Sequence, residues 1–214
     1  MRNILATIAF FGLSLMSFTG SVFAGADDGL YDPVAPEGSA FVRYVNTDAE
    51  EAAPSVNGKS YDKVVFAAVT PYYVVPKGDA DIKFGAGSAK QTVEAGKFYT
   101  AVLQKGAVKV IADTVSANRA KAQLALYNLT EKATVTLKAN DKIEVVKEVA
   151  AGTVGAMDVN AMKIKLAVFS GSDSLGDAGE QNLERGFSYG VFAIAKADGT
   201  TQVVAVKAET DTKK

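Results

Sequence analysis

Apolar and polar residues alternate with a period of two along this chain, and nothing constrains its fold more. Side chains that alternate in this way belong to a strand with one buried and one wet face. In Lys163-Ile164-Lys165-Leu166-Ala167-Val168 the residues Ile164, Leu166 and Val168 share one face and the two lysines the other. Thr134-Val135-Thr136-Leu137-Lys138 and Lys142-Ile143-Glu144-Val145 repeat the pattern. Asn57-Gly58 and Asp198-Gly199 read as type I′ hairpin turns, in which both central residues take φ > 0. Lys77-Gly78, Lys105-Gly106 and Asn140-Asp141 read as looser turns. Ala112–Ala125 is Ala-rich enough to carry a helix, but its β-branched and Asn residues disfavour one. The expected fold is all-β, built from short antiparallel strands.

The chain also resembles itself. Phe41-Val42-Arg43-Tyr44-Val45-Asn46 returns as Gln123-Leu124-Ala125-Leu126-Tyr127-Asn128, in each case an apolar strand ending in Asn. Glu94-Ala95-Gly96-Lys97-Phe98-Tyr99 returns as Glu184-Arg185-Gly186-Phe187-Ser188-Tyr189, so both fit Glu-x-Gly-x-x-Tyr before an apolar run. Two landmarks in the same order predict two copies of one domain. Each copy has a suitable length for an immunoglobulin-like antiparallel β-sandwich. The expected layout is a first sandwich over 25–113 with an extended N-terminal arm, a linker over 114–120 and a second sandwich over 121–214.

Residues 1–24 read as an address rather than as part of the fold. One positive charge, an apolar run from Ile4 to Phe18 and small residues ending in Val22-Phe23-Ala24 predict a signal peptide cleaved after Ala24. The expected location is the periplasm.

Composition excludes several kinds of chemistry. The sequence contains no Cys, no His and no Trp. There is therefore no thiolate, no imidazole base for a Ser-His-Asp triad and no Cys or His metal ligand. A formal net charge of −1 supplies no basic surface for nucleic acid. The stretch 25–51 is strongly acidic, with Arg43 as its one base, and reads either as a solvated tail and edge strand or as a contact surface for a basic partner.

Four features look like chemistry. Asp173-Ser174-Leu175 echoes the nucleophile block of SGNH-type esterases, but it lies near the chain end and no His can activate Ser174; a Gly/Ser/Asp-rich loop is the expected reading. Asp173, Asp177 and Glu180 share that segment without fitting a calcium loop, and Asp79-Ala80-Asp81 fits even less. Neither metal nor cofactor is expected. Asn128-Leu129-Thr130 is formally a glycosylation sequon, with a turn role expected for its Asn. Tyr72-Tyr73, between Pro71 and Pro76, is a conceivable sugar-stacking platform, although neighbouring strand residues face opposite ways.

The segment Leu30-Tyr31-Asp32-Pro33-Val34-Ala35-Pro36-Glu37-Gly38-Ser39-Ala40-Phe41-Val42-Arg43 resembles the opening of the alginate biosynthesis AlgF family. The resemblance implies a non-catalytic periplasmic adaptor, required for O-acetylation of an exopolysaccharide and contacting separate SGNH-type acetyltransferases. A membrane acyl-transfer component is a further implied partner, and direct polysaccharide binding is expected to be weak or absent. The alternatives are a polysaccharide-binding module of the same export system and an adaptor of a cellulose acetylation system. Leu30, Tyr31, Pro33, Pro36 and Arg43 are the candidate partner-binding residues. The two prolines stiffen an arm on which Leu30 and Tyr31 offer apolar surface.

Overall fold

The computed structural model describes residues 35–212. The expected signal peptide over residues 1–24 and the arm residues Leu30, Tyr31 and Pro33 lie outside the described residues. The first half holds eight strands: β1 (Ser39–Asn46), β2 (Pro54–Val56), β3 (Lys59–Ser60), β4 (Tyr72–Pro76), β5 (Gly78–Phe84), β6 (Gly87–Val93), β7 (Phe98–Gln104) and β8 (Ala107–Asp113). The second half follows with β9 (Ala122–Leu129), β10 (Thr134–Ala139), β11 (Ile143–Ala150), β12 (Val154–Val159), β13 (Lys163–Ser170), β14 (Asp173–Asn182), β15 (Ser188–Ala195) and β16 (Thr201–Lys207), and then a short β17 (Thr210–Asp211). No helix occurs among the described residues.

The two halves share one topology. The first pairs its strands as β4-β1-β7-β8 and β3-β2-β5-β6, the second as β12-β9-β15-β16 and β11-β10-β13-β14. Each order in the second half is the first advanced by eight strands. The architecture is thus two tandem β-sandwiches. Three pairings depart from the antiparallel expectation: β1 runs parallel to β7, β9 runs parallel to β15, and β17 runs parallel to β4. The first strand is not an edge strand. It lies third in its sheet, between β4 and β7.

The Ala-rich stretch 112–125 forms no helix. It is the end of β8, an extended connector with a turn at 119–120, and the start of β9. At Asn57-Gly58 both residues take positive φ, 50° and 83°, closing the two-residue link between β2 and β3. Lys105-Gly106 links β7 to β8 in the same way, with φ of 53° and 72°. Asp198-Gly199 does not form a type I′ turn. It lies inside a five-residue loop between β15 and β16, and its bend is held by the Asp198 carboxylate accepting from the Thr200 N–H at 2.8 Å.

Each sandwich has its own core. Val42, Tyr44, Ile82 and Phe84 lead the first, and Leu124, Leu126, Leu137 and Leu166 the second. A third core lies between the sandwiches. Val45, Val102 and Ile111 of the first half meet Tyr127, Phe192 and Ile194 of the second. The stack therefore has four layers, with the sheets of β1 and β9 inside. Both inner strands are buried on two faces, which is why all eight residues of β9 are buried. β17 crosses this seam. It joins the first half's sheet beside β4, and the Tyr72 N–H donates to the Glu209 carbonyl at 2.8 Å.

Candidate functional site

The seam carries a polar cluster built around the buried Arg43. Alternation along β1 sends Tyr44 into the first core and Arg43 to the opposite face, toward the second sandwich. Arg43 is 2% exposed. Its Nε donates to the Thr100 hydroxyl at 3.0 Å and its Nη2 to the Tyr127 hydroxyl at 2.7 Å. Both hydroxyls pass their own protons to Asp113: Thr100 to Oδ2 at 2.7 Å and Tyr127 to Oδ1 at 2.8 Å. The Tyr72 hydroxyl donates to Oδ2 as well, at 2.7 Å. Two hydroxyls thus relay a cation to an anion with every donor pointed one way.

Aromatic rings wall in the guanidinium, which lies 4.5 Å from the Tyr72 ring centre and 5.0 Å from that of Phe192. Burial by itself lowers the Arg43 pKa. The Tyr127 and Tyr72 hydroxyls and the Asp113 carboxylate outweigh it, and the net direction is up, so Arg43 remains charged. Burial raises the Tyr72 and Tyr127 phenols. The Asp113 carboxylate adds to the rise and Arg43 opposes it.

The second half makes room for this cluster. The positions matching Arg43 and Thr100 by internal repeat are Ala125 and Gly190. A Cβ on Gly190 would stand 2.7 Å from the Phe192 ring and 3.4 Å from Arg43 Nη2. Asp113 corresponds to Ala208, each lying just beyond or at the end of the strand that pairs with the Glu-x-Gly-x-x-Tyr strand. One sandwich supplies the charges, and the other supplies space and Tyr127.

The seam opens at both ends. Where β1, β7, β9 and β15 begin lies a cleft of about 240 Å³, lined by Arg43, Arg119, Val115, Phe98 and Phe187 among others. At the opposite end a groove of about 880 Å³ runs between the Lys105 hairpin, Glu131-Lys132 and the 196–200 loop. There Gln104 donates to the Leu129 carbonyl at 3.2 Å, and Lys105 pairs with Glu131 across the seam.

The residues singled out from the sequence fall in different places. Pro36 is exposed on the approach to β1, and its carbonyl accepts from Ser39 Oγ at 2.7 Å. Tyr72 is 4% exposed, with Phe98 edge-on to its ring and Arg43 over it, so no sugar face can reach it. Tyr73 points the other way and stacks on Tyr61 with centroids 3.9 Å apart. Asp173, Ser174, Asp177 and Glu180 are not in a loop. They lie on β14, where Asp177 pairs with Lys165 and Glu180 with Lys163. Asp79 accepts from Thr92 and Asp81 pairs with Lys83 along β5. Asn128 is fully buried, its amide committed to backbone groups.

Sequence reasoning passed over Asp113, Thr100 and Tyr127 as a unit. A signal was present: Thr100 within the largely apolar run Phe98–Leu103, and an acid at the end of β8.

The family model described as Alginate O-acetyl transferase AlgF matches residues 10–190. The chain belongs to the AlgF family. Alginate biosynthesis protein AlgF of Pseudomonas putida is 37% identical over 176 residues, covering 82% of this chain and 81% of the relative. AlgF of Pseudomonas aeruginosa is 33% identical, covering 76% of each. AlgF of Azotobacter vinelandii is 31% identical, covering 80% of each. Two solved structures also match. The C-terminal domain of AlgF from P. aeruginosa is 32% identical and covers 41% of this chain and 98% of its own, with a TM-score of 0.37. The N-terminal domain is 29% identical and covers 38% of this chain and all of its own, with a TM-score of 0.35.

Proposed function

We propose that this chain is a non-catalytic adaptor in the O-acetylation of exported alginate, working in the periplasm beside SGNH-type acetyltransferases once residues 1–24 have been removed. Membership of the AlgF family carries the alginate part of this reading. The family description names an acetyl transferase, but this chain offers poor means for one. Acyl transfer to a hydroxyl needs a base that is unprotonated near neutral pH and positioned on the nucleophile. There is no His or Cys in the sequence. Ser174 sits within β14 opposite Phe169, away from the buried cluster at the seam. The hydroxyls of that cluster are held as acids by burial, and each is already committed to Asp113.

The test is reconstitution with the purified chain and the acetyltransferases of the same alginate system. The chain alone transfers no acetyl group from an activated ester to oligomannuronate. Immobilised, it retains the acetyltransferases. Loss of its gene abolishes polymer acetylation, and a Ser174→Ala copy restores it in full. Transfer by the isolated chain that disappears in Ser174→Ala would sink the reading.

A further inference from the structure

We propose that the cleft at the β1 end of the seam receives a carboxylate on an extended segment of a protein partner, with Arg43 and Arg119 holding the carboxylate and Val115 and Phe187 the apolar side chains beside it. The inference rests on the adaptor reading and says where on the chain the partner docks.

Four observations point to this occupant. The first is a cation with one nitrogen left for the cleft. Arg43 commits Nε and Nη2 inside the protein, while Nη1 finds no acceptor among the described residues, and the side chain lines the cleft. The buried polar atoms without a partner among the described residues are the Tyr44 and Tyr61 hydroxyls, so Nη1 meets solvent in the cleft, where a ligand carboxylate can take the place of water.

The second is local charge. The charged residues lining the cleft are Arg43, Arg119 and Asp113. Asp113 already accepts three hydroxyl hydrogen bonds, and among the described residues Arg119 reaches only the Gly186 carbonyl, at a long 3.4 Å. The cleft is therefore cationic in a chain whose net charge is −1.

The third is apolar surface. Val115 and Phe187 are 46% and 43% exposed, and both lie on the cleft wall. The fourth is a backbone rail. The connector after β8 is extended, and the N–H groups of Val115 and Ala117 have no partner among the described residues. An extended peptide laid along it gains main-chain hydrogen bonds.

The same features disfavour a uronate polymer. Sugar rings stack on open aromatic faces, but Arg43 covers Tyr72, and its ring is buried. A polyuronate also carries a carboxylate on every unit, whereas the cleft holds one buried cation and one at its rim.

The test follows the 15N-labelled full mature chain by NMR with three probes: the peptide acetyl-Gly-Val-Asp-Phe-Gly-amide, its Asp→Asn counterpart and oligomannuronate. The Asp peptide shifts the Val115, Arg119 and Phe187 amides and the Arg43 Nε–H. The Asn peptide binds about fivefold or more weakly. Equal binding of the two peptides, or no shift at these signals, overturns the carboxylate site. Oligomannuronate shifting the same signals more strongly than the peptide overturns the choice of occupant.

A second arm uses the purified acetyltransferases. Arg119→Glu and Phe187→Ser, both at exposed positions, lower their retention about tenfold with an unchanged melting point. Lys132→Glu at the other end of the seam retains them normally. If wild-type protein retains them and the cleft variants do so equally well, the docking site is wrong and the adaptor reading stands. If wild-type protein retains nothing, the adaptor reading fails, and the peptide titration alone decides what the cleft binds.

Discussion

Asn46 and Asn128, 82 positions apart, make the same three hydrogen bonds. Each donates from Nδ2 to the carbonyl four residues on, Glu50 or Lys132, and to a second carbonyl, Val64 or Val149. Each accepts at Oδ1 from the N–H two residues on, Asp48 or Thr130. Both side chains are fully buried, so truncation strands two carbonyls and an N–H. Asn46→Ala and Asn128→Ala should each cost about 2–4 kcal/mol in urea unfolding. Asp in either place removes the two donations and should cost a similar amount. A loss confined to one of the pair would show that the repeat is only nominal.

The relay between Arg43 and Asp113 makes its own forecast. Tyr127→Phe removes the hydroxyl that accepts at 2.7 Å and donates at 2.8 Å, while the ring stays stacked 4.4 Å from Phe192. The variant should lose about 2–3 kcal/mol, because the buried Arg43 loses an acceptor and the half-buried Asp113 a donor. In a double-mutant cycle, Tyr127→Phe and Asp113→Asn should cost less together than their separate losses add up to. Strict additivity would mean that the two groups act independently.

Alkaline pH should unfold the protein through its phenols. Burial, helped by Tyr73 and Asp211, pushes Tyr61 up to about 12. Tyr44, Tyr72, Tyr73 and Tyr127 are raised too, in each case chiefly by burial. The unfolded chain releases such protons near pH ~10, whereas the folded chain retains them. Unfolding therefore gains as pH rises: stability is whole below about pH 10 and falls through pH 10–12. Urea midpoints measured across this range, with phenolate absorbance at each point, check it. A midpoint that stays level to about pH 12 contradicts the assignment.

The seam core sets what separation of the halves should do. Fragments 25–115 and 116–214 each contain a complete core, so each should give a dispersed β-type spectrum. Apart, they expose Val45, Val102, Tyr127 and Phe192 to water. Each should melt below the intact chain, and mixing them should restore a one-to-one complex. If neither fragment folds alone, the sandwiches depend on the seam for their existence.

Strands with one wet face could be read from the sequence, because water enforces their alternation. β10 and β13 were visible for that reason. β9 and β15 are covered on both sides, and their residues carry no alternation from which a face can be told. The repeated Tyr was visible as a letter, and its role came only with the structure. The Tyr99 and Tyr189 hydroxyls accept the N–H of Glu94 and Glu184, each at 3.0 Å, and so pin the turn before the strand. The seam was hidden because its contacts join residues far apart in the chain. Arg43 read as a candidate partner-binding residue within a matched motif, and the fit of Gly190 around it is a matter of volume, which no pattern of letters records. The segment around Ser174 misled because Gly, Ser and Asp suggest a loop, while pairing with β13 draws it into a strand.

β17 closes the sheet that begins with the first residues of the fold. The Tyr72-Tyr73 edge receives Thr210-Asp211, which come after the whole second sandwich in the chain. The first sandwich therefore borrows its outermost strand from beyond its neighbour, and backbone pairing ties the two units together in addition to the side chains of the seam.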